Sequence, residues 1–556
     1  MSLRLVAACL AILAPAAAFA AENAVRVTLS PADLAAGFDA RKVRLVVGDA
    51  APALVVDPRA VLPGDDGRGV VVTEVLDLGP TAGVVALPAE IRRIAVIVEA
   101  DVPAGGGLTV AARTSPRRFD DAAWSEWVPL AARGGDIARP TGRYVQVRLE
   151  MTATAAGGPR VAGVTIESEH GPVAAPPAGL RVIRAAVQRI VRSPIAFTHE
   201  RPDAPKIARF RAAAGLDAVV APATTDFDRL VLLMDWAGSC ANVRDGRVKA
   251  RGYYDWDREV NSEVTRPADG RGTPARVIVH GHCMSYAETL VDAATALGYK
   301  ARHMAVLGFH DMSHEVVEAW VPELRKWVYL DPSLTNYYMA RGTNQPLDIL
   351  ELHAAVVGFL PAGRDMDWFV RPDAGDAAAA VHRIGGRTPV DARLGPWSYG
   401  SPMPRDYDWG WKHGYLTAGF VQMTPRNDFN SNPAANPKLL SHYPGYAGYP
   451  FWVDDRTPPR PGVTNWFTRD RDFHWTLDQA TLALAAGPEP GVLVAEFGHS
   501  MPFFRGYRVR IDGGPAVAAV SPFTWNVAPG EHTLEVAPID EFGRIGSASL
   551  VVVRGE

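Results

Sequence analysis

Between residues 22 and 168 apolar and polar side chains alternate in short runs divided by turn-forming clusters. Arg143-Tyr144-Val145-Gln146-Val147-Arg148-Leu149-Glu150-Met151 has period two, as a strand with one buried face requires. Residues 94–98 form a continuous apolar run, as in a fully buried strand, and Pro63-Gly64-Asp65-Asp66-Gly67 is one of several turn clusters. Together these predict a β-sandwich over 22–168. Residues 171–179, with Pro172, Pro176 and Pro177, cannot hold a regular element and read as a linker.

Residues 180–360 mix helical and strand periods. Asp226 is placed to cap a helix whose Leu230, Leu233 and Ala237 share one face. After Cys283, the residues Ala287, Leu290, Val291, Ala294 and Leu297 recur at helical spacing, and Gly298 suits the position just past the helix end. Strands are expected from His314 to Trp320 and from Lys326 to Asp331, where Pro332 stops the second. Residues 361–480 lose periodicity, are dense in Pro and Gly, and hold seven of the 14 Trp (Trp368, Trp397, Trp409, Trp411, Trp452, Trp466, Trp475). They predict a loop-rich cap pinned by aromatics, either packed between domains or lining a substrate. Residues 485–556 return to short strands, with Asp512-Gly513 as a hairpin signal, and predict a small Ig-like sandwich. The expected fold class is α+β, a mixed core flanked by all-β sandwiches, with neither internal repeats nor coiled-coil heptads.

The first 20 residues change where this chain is expected to work. MSLRLVAACLAILAPAAAFA puts Arg4 before a short apolar run and ends on Ala18-Phe19-Ala20, the pattern of a secretory signal peptide cut after Ala20. The run is too short, and too interrupted by Pro15, for a membrane anchor, and no later stretch is long enough to span a bilayer. A soluble protein of the periplasm or the exterior is expected. At roughly 100–200 residues per domain, the length of 556 residues implies three or four domains. Lys+Arg 57 against Asp+Glu 61 leaves a net charge of −4 with no basic stripe, which argues against nucleic acid as a partner.

Export also matters for the cysteines, because past the leader only Cys240 and Cys283 remain. In an oxidising compartment they could form one disulfide. Bridging needs Cα atoms within about 7 Å, and a larger separation with a free Cys283 is expected. A cysteine at a helix N-terminus meets exposed amide N–H groups and the positive end of the dipole, which favour its thiolate. His314, at the start of a strand, can serve as general base and then as general acid toward a leaving amine. Asp331, at the end of the next strand, can hold the imidazole in the right tautomer and stabilise the imidazolium.

Cys283, His314 and Asp331 in this order, with Tyr286-Ala287, Leu297-Gly298-Tyr299-Lys300-Ala301-Arg302 and Trp327-Val328-Tyr329-Leu330-Asp331-Pro332 around them, resemble the transglutaminase-like superfamily over about residues 225–350. The resemblance implies a papain-like fold and amide transfer or hydrolysis through a thioester, with Cys283 as nucleophile, His314 as base and Asp331 as orienter. One departure is that Trp320 follows His314 by six residues, where family members often carry Trp two residues on. The oxyanion donor is expected to be the backbone N–H of Cys283, with Trp236 and His282 as side-chain candidates. In the N-terminal region Arg113-Thr114-Ser115, Trp124-Ser125-Glu126-Trp127 and residues 143–148 resemble galactose-binding-like jelly rolls, which implies a binding surface or a domain contact there.

Two other readings stand beside the triad. His280-Gly281-His282-Cys283, with His303 and His310 nearby, offers soft ligands, yet no second pair has zinc-finger spacing, and neither metal nor cofactor is expected. The fold can also be kept without the chemistry, as a non-catalytic or polysaccharide-recognising envelope protein. The expected function is an exported thiol enzyme, transamidase or amidase/peptidase, acting on protein, peptide or glycan substrates of the cell envelope or exterior.

Overall fold

The computed structural model describes residues 23–48, 51–174, 179–239, 241–242, 262–265, 276–279, 283–307, 313–333, 335–340, 345–359, 381–385, 420–432, 448–455, 457, 459 and 463–556. The leader, Cys240, His280, Gly281, His282, His310, Trp368, Trp397, Trp409 and Trp411 lie outside the described residues. Among the described residues no helix is long and apolar enough to cross a membrane.

Two six-stranded sheets form the N-terminal sandwich. Tyr144–Thr152 lies inside one of them, paired with Gly107–Ser115 and Arg68–Val72, and its alternation puts Val145, Val147, Leu149 and Met151 into the core. The other sheet adds Ile94, Val96, Val98, Val164 and Ile166 from the opposite side. Trp124 and Trp127 are half-buried. The Arg113 guanidinium lies 4.8 and 4.6 Å from their ring centres, and Arg148 lies 4.9 Å from that of Trp127.

The central unit is a six-stranded sheet in the order Lys326–Leu330, Ser313–Val321, Ala301–Leu307, Phe420–Met423, Phe451–Trp452, Trp466–Phe467. On one face Val317, Ala319, Val328 and Leu330 pack with the helices Pro205–Ala214, Asp226–Ser239 and Cys283–Ala296. On the other, Val316, Trp320, Trp327 and Tyr329 pack with Leu350, Leu352, Trp452 and Trp475. The segment expected to be a cap thus supplies three strands of this sheet. These strands are two to four residues long, too short to show a period, which is why the sequence pattern hides them. Trp466 belongs to the N-terminal core, and its indole N–H donates to Asp65 Oδ2 at 2.8 Å.

The C-terminal sandwich has two five-stranded sheets. It takes in Leu180–Ala186, which pairs with Ser549–Gly555, and Val85–Ala86, which pairs in parallel with Ala480–Ala486. Both borrowed pieces come from regions the sequence assigns elsewhere. Val85 and Leu87 are buried in this second core. The fold class is α+β with all-β sandwiches on both sides, as the pattern predicts.

Candidate active site

The helix Cys283–Ala296 buries Ala287, Leu290, Val291 and Ala294 against the sheet. It ends as its glycine predicts. Gly298 has φ +82°, its N–H donates to Thr295 O at 2.8 Å, and Tyr299 N–H donates to Ala294 O at 2.9 Å, the paired bonds of a Schellman cap. Cys283 is the first helical residue, half-buried, with a free thiol, at the end of the helix where N–H groups are unsatisfied.

The strand Ser313–Val321 and the strand Lys326–Leu330 form a hairpin in which Val317 pairs with Leu330 and Trp320 with Trp327. Continuing that register makes His314 and Asp331 diagonal neighbours on one face. The backbone of Asp331 is fixed just past its strand by two bonds to Asn336, N–H to O at 2.9 Å and O to N–H at 3.1 Å. His314 Nε2 lies 2.7 Å from Asp331 Oδ2, and both side chains are buried. Burial alone would lower the His314 pKa. The Asp331 carboxylate, its hydrogen bond and a hydrogen bond with the Cys283 thiol outweigh that and raise it to about 10. With Nε2 committed to Asp331, Nδ1 is left to face the thiol. The structure therefore brings Cys283, His314 and Asp331 together, and the charged imidazolium is the favoured form of the ring.

Trp236, one oxyanion candidate, is buried in the helical core, 5.9 Å ring to ring from Phe210. The other, His282, lies outside the described residues. His303, one of the histidines considered for a metal, is buried with Nε2 2.6 Å from Glu315 and Nδ1 2.9 Å from Thr424 Oγ1.

Sequence reasoning missed a second buried polar group. Arg302, fully buried, holds Glu318 Oε2 through Nη2 at 2.7 Å and Nε at 3.2 Å. Its guanidinium also lies 4.0 Å from the Trp327 ring centre and 4.7 Å from that of Trp475. Glu318 Oε1 accepts from Ile349 N–H at 2.8 Å and lies 2.9 Å from His474 Nε2. Burial would raise the Glu318 pKa, yet the neighbouring His474 and Arg302 charges hold it down at about 2. Burial pushes Asp348, at the start of Ile349–Phe359, up to about 6. One ligand atom each from Glu318, Asp348 and His474 lies within 4.8 Å of the others. A cation would have to displace bonds these oxygens already make and sit beside Arg302, so the cluster reads as a charge network locking the His314 strand. Glu318 shares a face with His314, a signal present in the sequence, whereas His474 comes from 156 residues away and left none.

Residues 217–332 match the family model of the Transglutaminase-like superfamily. This segment, which carries all three residues, is a transglutaminase-like domain. No curated protein matches the chain. Among solved structures, a "putative cysteine protease" of Cytophaga hutchinsonii is similar at 11% identity, over 44% of this chain and 73% of that one, with a TM-score of 0.17. A "putative protease" of Parabacteroides distasonis is similar at 10% identity, over 47% and 63%, TM-score 0.14. A Podospora anserina GH26-CBM35 β-(1,4)-mannanase is similar at 11% identity, over 34% and 40%, TM-score 0.15. The chain spans less than two thirds of the latter two, and scores this low carry no functional argument.

Proposed function

We propose that this protein is an exported thiol enzyme that acts on amide bonds of cell-envelope or extracellular substrates. The observation that carries the proposal is the buried His314–Asp331 pair beside a free cysteine at a helix N-terminus. The raised His314 pKa keeps a proton on the ring beside the Cys283 thiol, available to a leaving amine. In the first step the Cys283 thiolate attacks the amide carbonyl carbon, and the resulting oxyanion is held by the backbone N–H of Cys283. Collapse breaks the C–N bond, His314 gives its proton to the leaving amine, and a thioester remains. Water or a primary amine then attacks the thioester, His314 takes its proton, and the thiolate is released. Asp331 keeps the ring oriented throughout. The leader pattern supports a substrate outside the cytoplasm.

The test is intact mass spectrometry after mixing the protein with envelope peptide fragments, with and without a tagged primary amine. The expected result is a hydroxylamine-labile mass on Cys283, absent from Cys283→Ser, resolving to free acid or to tagged amide. A Cys283 that never acylates, in a protein that retains envelope polysaccharide equally well as Cys283→Ser, would instead favour the non-catalytic reading.

A further inference from the structure

The cysteine helix is gripped at the end opposite its thiol, and part of the grip comes from another domain. Three cationic side chains gather where it ends, one on its last carbonyl and two on that of Gly298 in the cap just beyond. Arg211 Nη1 donates to Ala296 O at 3.0 Å and Lys300 Nζ to Gly298 O at 3.3 Å. Arg544 Nη1 donates to the same Gly298 carbonyl, and its guanidinium lies 4.3 Å from the Tyr299 ring centre. Cations here meet the negative end of the helix dipole. Arg211 and Lys300 belong to the central unit, whereas Arg544 stands at a hairpin tip of the C-terminal sandwich.

That tip is built to hold its arginine still. The Asp540 carboxylate accepts from Phe542 N–H at 3.0 Å and Arg544 N–H at 2.8 Å. Asp540 Oδ2 also lies 3.7 Å from Lys300 Nζ, in a pocket where both side chains are buried. Glu541 pairs with Arg201 at 2.7 Å, which ties the tip to the central unit a second time. Gly298 is needed here twice. Its φ of +82° disfavours any side chain, and an added Cβ would come within 3.3 Å of Arg544 Nη1.

We propose that Arg544 is a positioning residue for the Cys283 thiol. The helix of 14 residues is a rod about 21 Å long. Arg544 fixes where that rod ends along its axis and how it is turned, and so where Cys283 sits against His314. The C-terminal sandwich thereby serves the active site without touching it. This inference rests on Cys283 being an activated nucleophile.

The experiment measures the rate of Cys283 alkylation by iodoacetamide against pH, with peptide mapping, in the full chain and its variants. Arg544→Ala should slow alkylation about tenfold at neutral pH, well inside the hundredfold that an ångström of misplacement costs, and displace the pH profile of the reaction. Arg544→Lys, which keeps the charge and a donor, should recover most of the rate. Arg554→Ala, which removes an exposed pair with Glu531 in the same sandwich, should leave it unchanged. An Arg544→Ala protein with the parent's rate and profile overturns the inference. Should Arg544→Ala not fold, Arg544→Gln decides: slowed alkylation supports the inference, and a rate within about twofold of the parent overturns it. A parent thiol that reacts slowly and irrespective of His314 overturns the enzyme reading and this inference with it. A fast, His314-dependent thiol unchanged by Arg544→Ala overturns this inference alone.

Discussion

Gly238→Ala is expected to damage the site from behind. Gly238 lies near the end of the helix Asp226–Ser239, against the turn that follows Asp331. A Cβ there would fall 2.1 Å from Thr335 Cγ2 and 2.5 Å from Pro332 O. Tolerable carbon–oxygen contacts begin at roughly 3.3 Å, so the Pro332 carbonyl must retreat by about 0.8 Å. Pro332 directly follows Asp331, and the same shift applied to the 2.7 Å bond between His314 and Asp331 would stretch it to about 3.5 Å, past hydrogen-bond range. Overpacking of this kind costs about 1–3 kcal/mol, and misplacement near an ångström costs up to about a hundredfold in rate. The assay pairs urea unfolding with the alkylation rate of Cys283. Both should drop, and adding Thr335→Ser, which removes the clashing methyl, should restore part of each. A Gly238→Ala protein that unfolds and alkylates like its parent would refute the reasoning.

Three further outcomes are expected. Arg302→Ala takes from the buried Glu318 carboxylate its guanidinium partner, leaving His474 and Ile349 N–H, and should cost about 3 kcal/mol by urea unfolding. The His314 pKa lies above its unfolded value of about 6.5, so its stabilisation is complete below that pH and lost as pH rises through about 10. Tm should therefore fall across that window, and Asp331→Asn should fall less steeply. Residues 487–556 alone should show no cooperative melt by circular dichroism. They lack Ala480–Ala486, Leu180–Ala186 and Val85–Ala86, which complete both sheets of the C-terminal sandwich.

The sequence made visible whatever repeats locally. The cysteine helix, its Gly298 cap and the two strands each announce themselves within about ten residues, and the resemblance to the transglutaminase-like superfamily implied that Cys283, His314 and Asp331 meet. Long-range pairing left weaker traces. Val85–Ala86 and Phe451–Trp452 are two-residue strands, too short for a period to mark them, and Val85–Ala86 pairs with Ala480–Ala486 near the other end of the chain. Trp452, Trp466 and Trp475 stood out by type, but only the fold divides them, Trp466 into the N-terminal core and the other two beneath the His314 strand. The Arg302–Glu318–His474 network was missed: the first two residues meet only through the pairing of Ala301–Leu307 with Ser313–Val321, and the third arrives from a segment without periodicity.

The central claim is that Cys283 is a nucleophile activated by His314 and Asp331. The most direct measurement is the pH dependence of Cys283 alkylation, by peptide mapping, in the parent protein, His314→Ala and Asp331→Asn. Reaction should be rapid already at neutral pH in the parent and slow once His314 is gone. Asp331→Asn should fall between the two. A Cys283 that reacts slowly at neutral pH in the parent and is indifferent to His314 would contradict the claim.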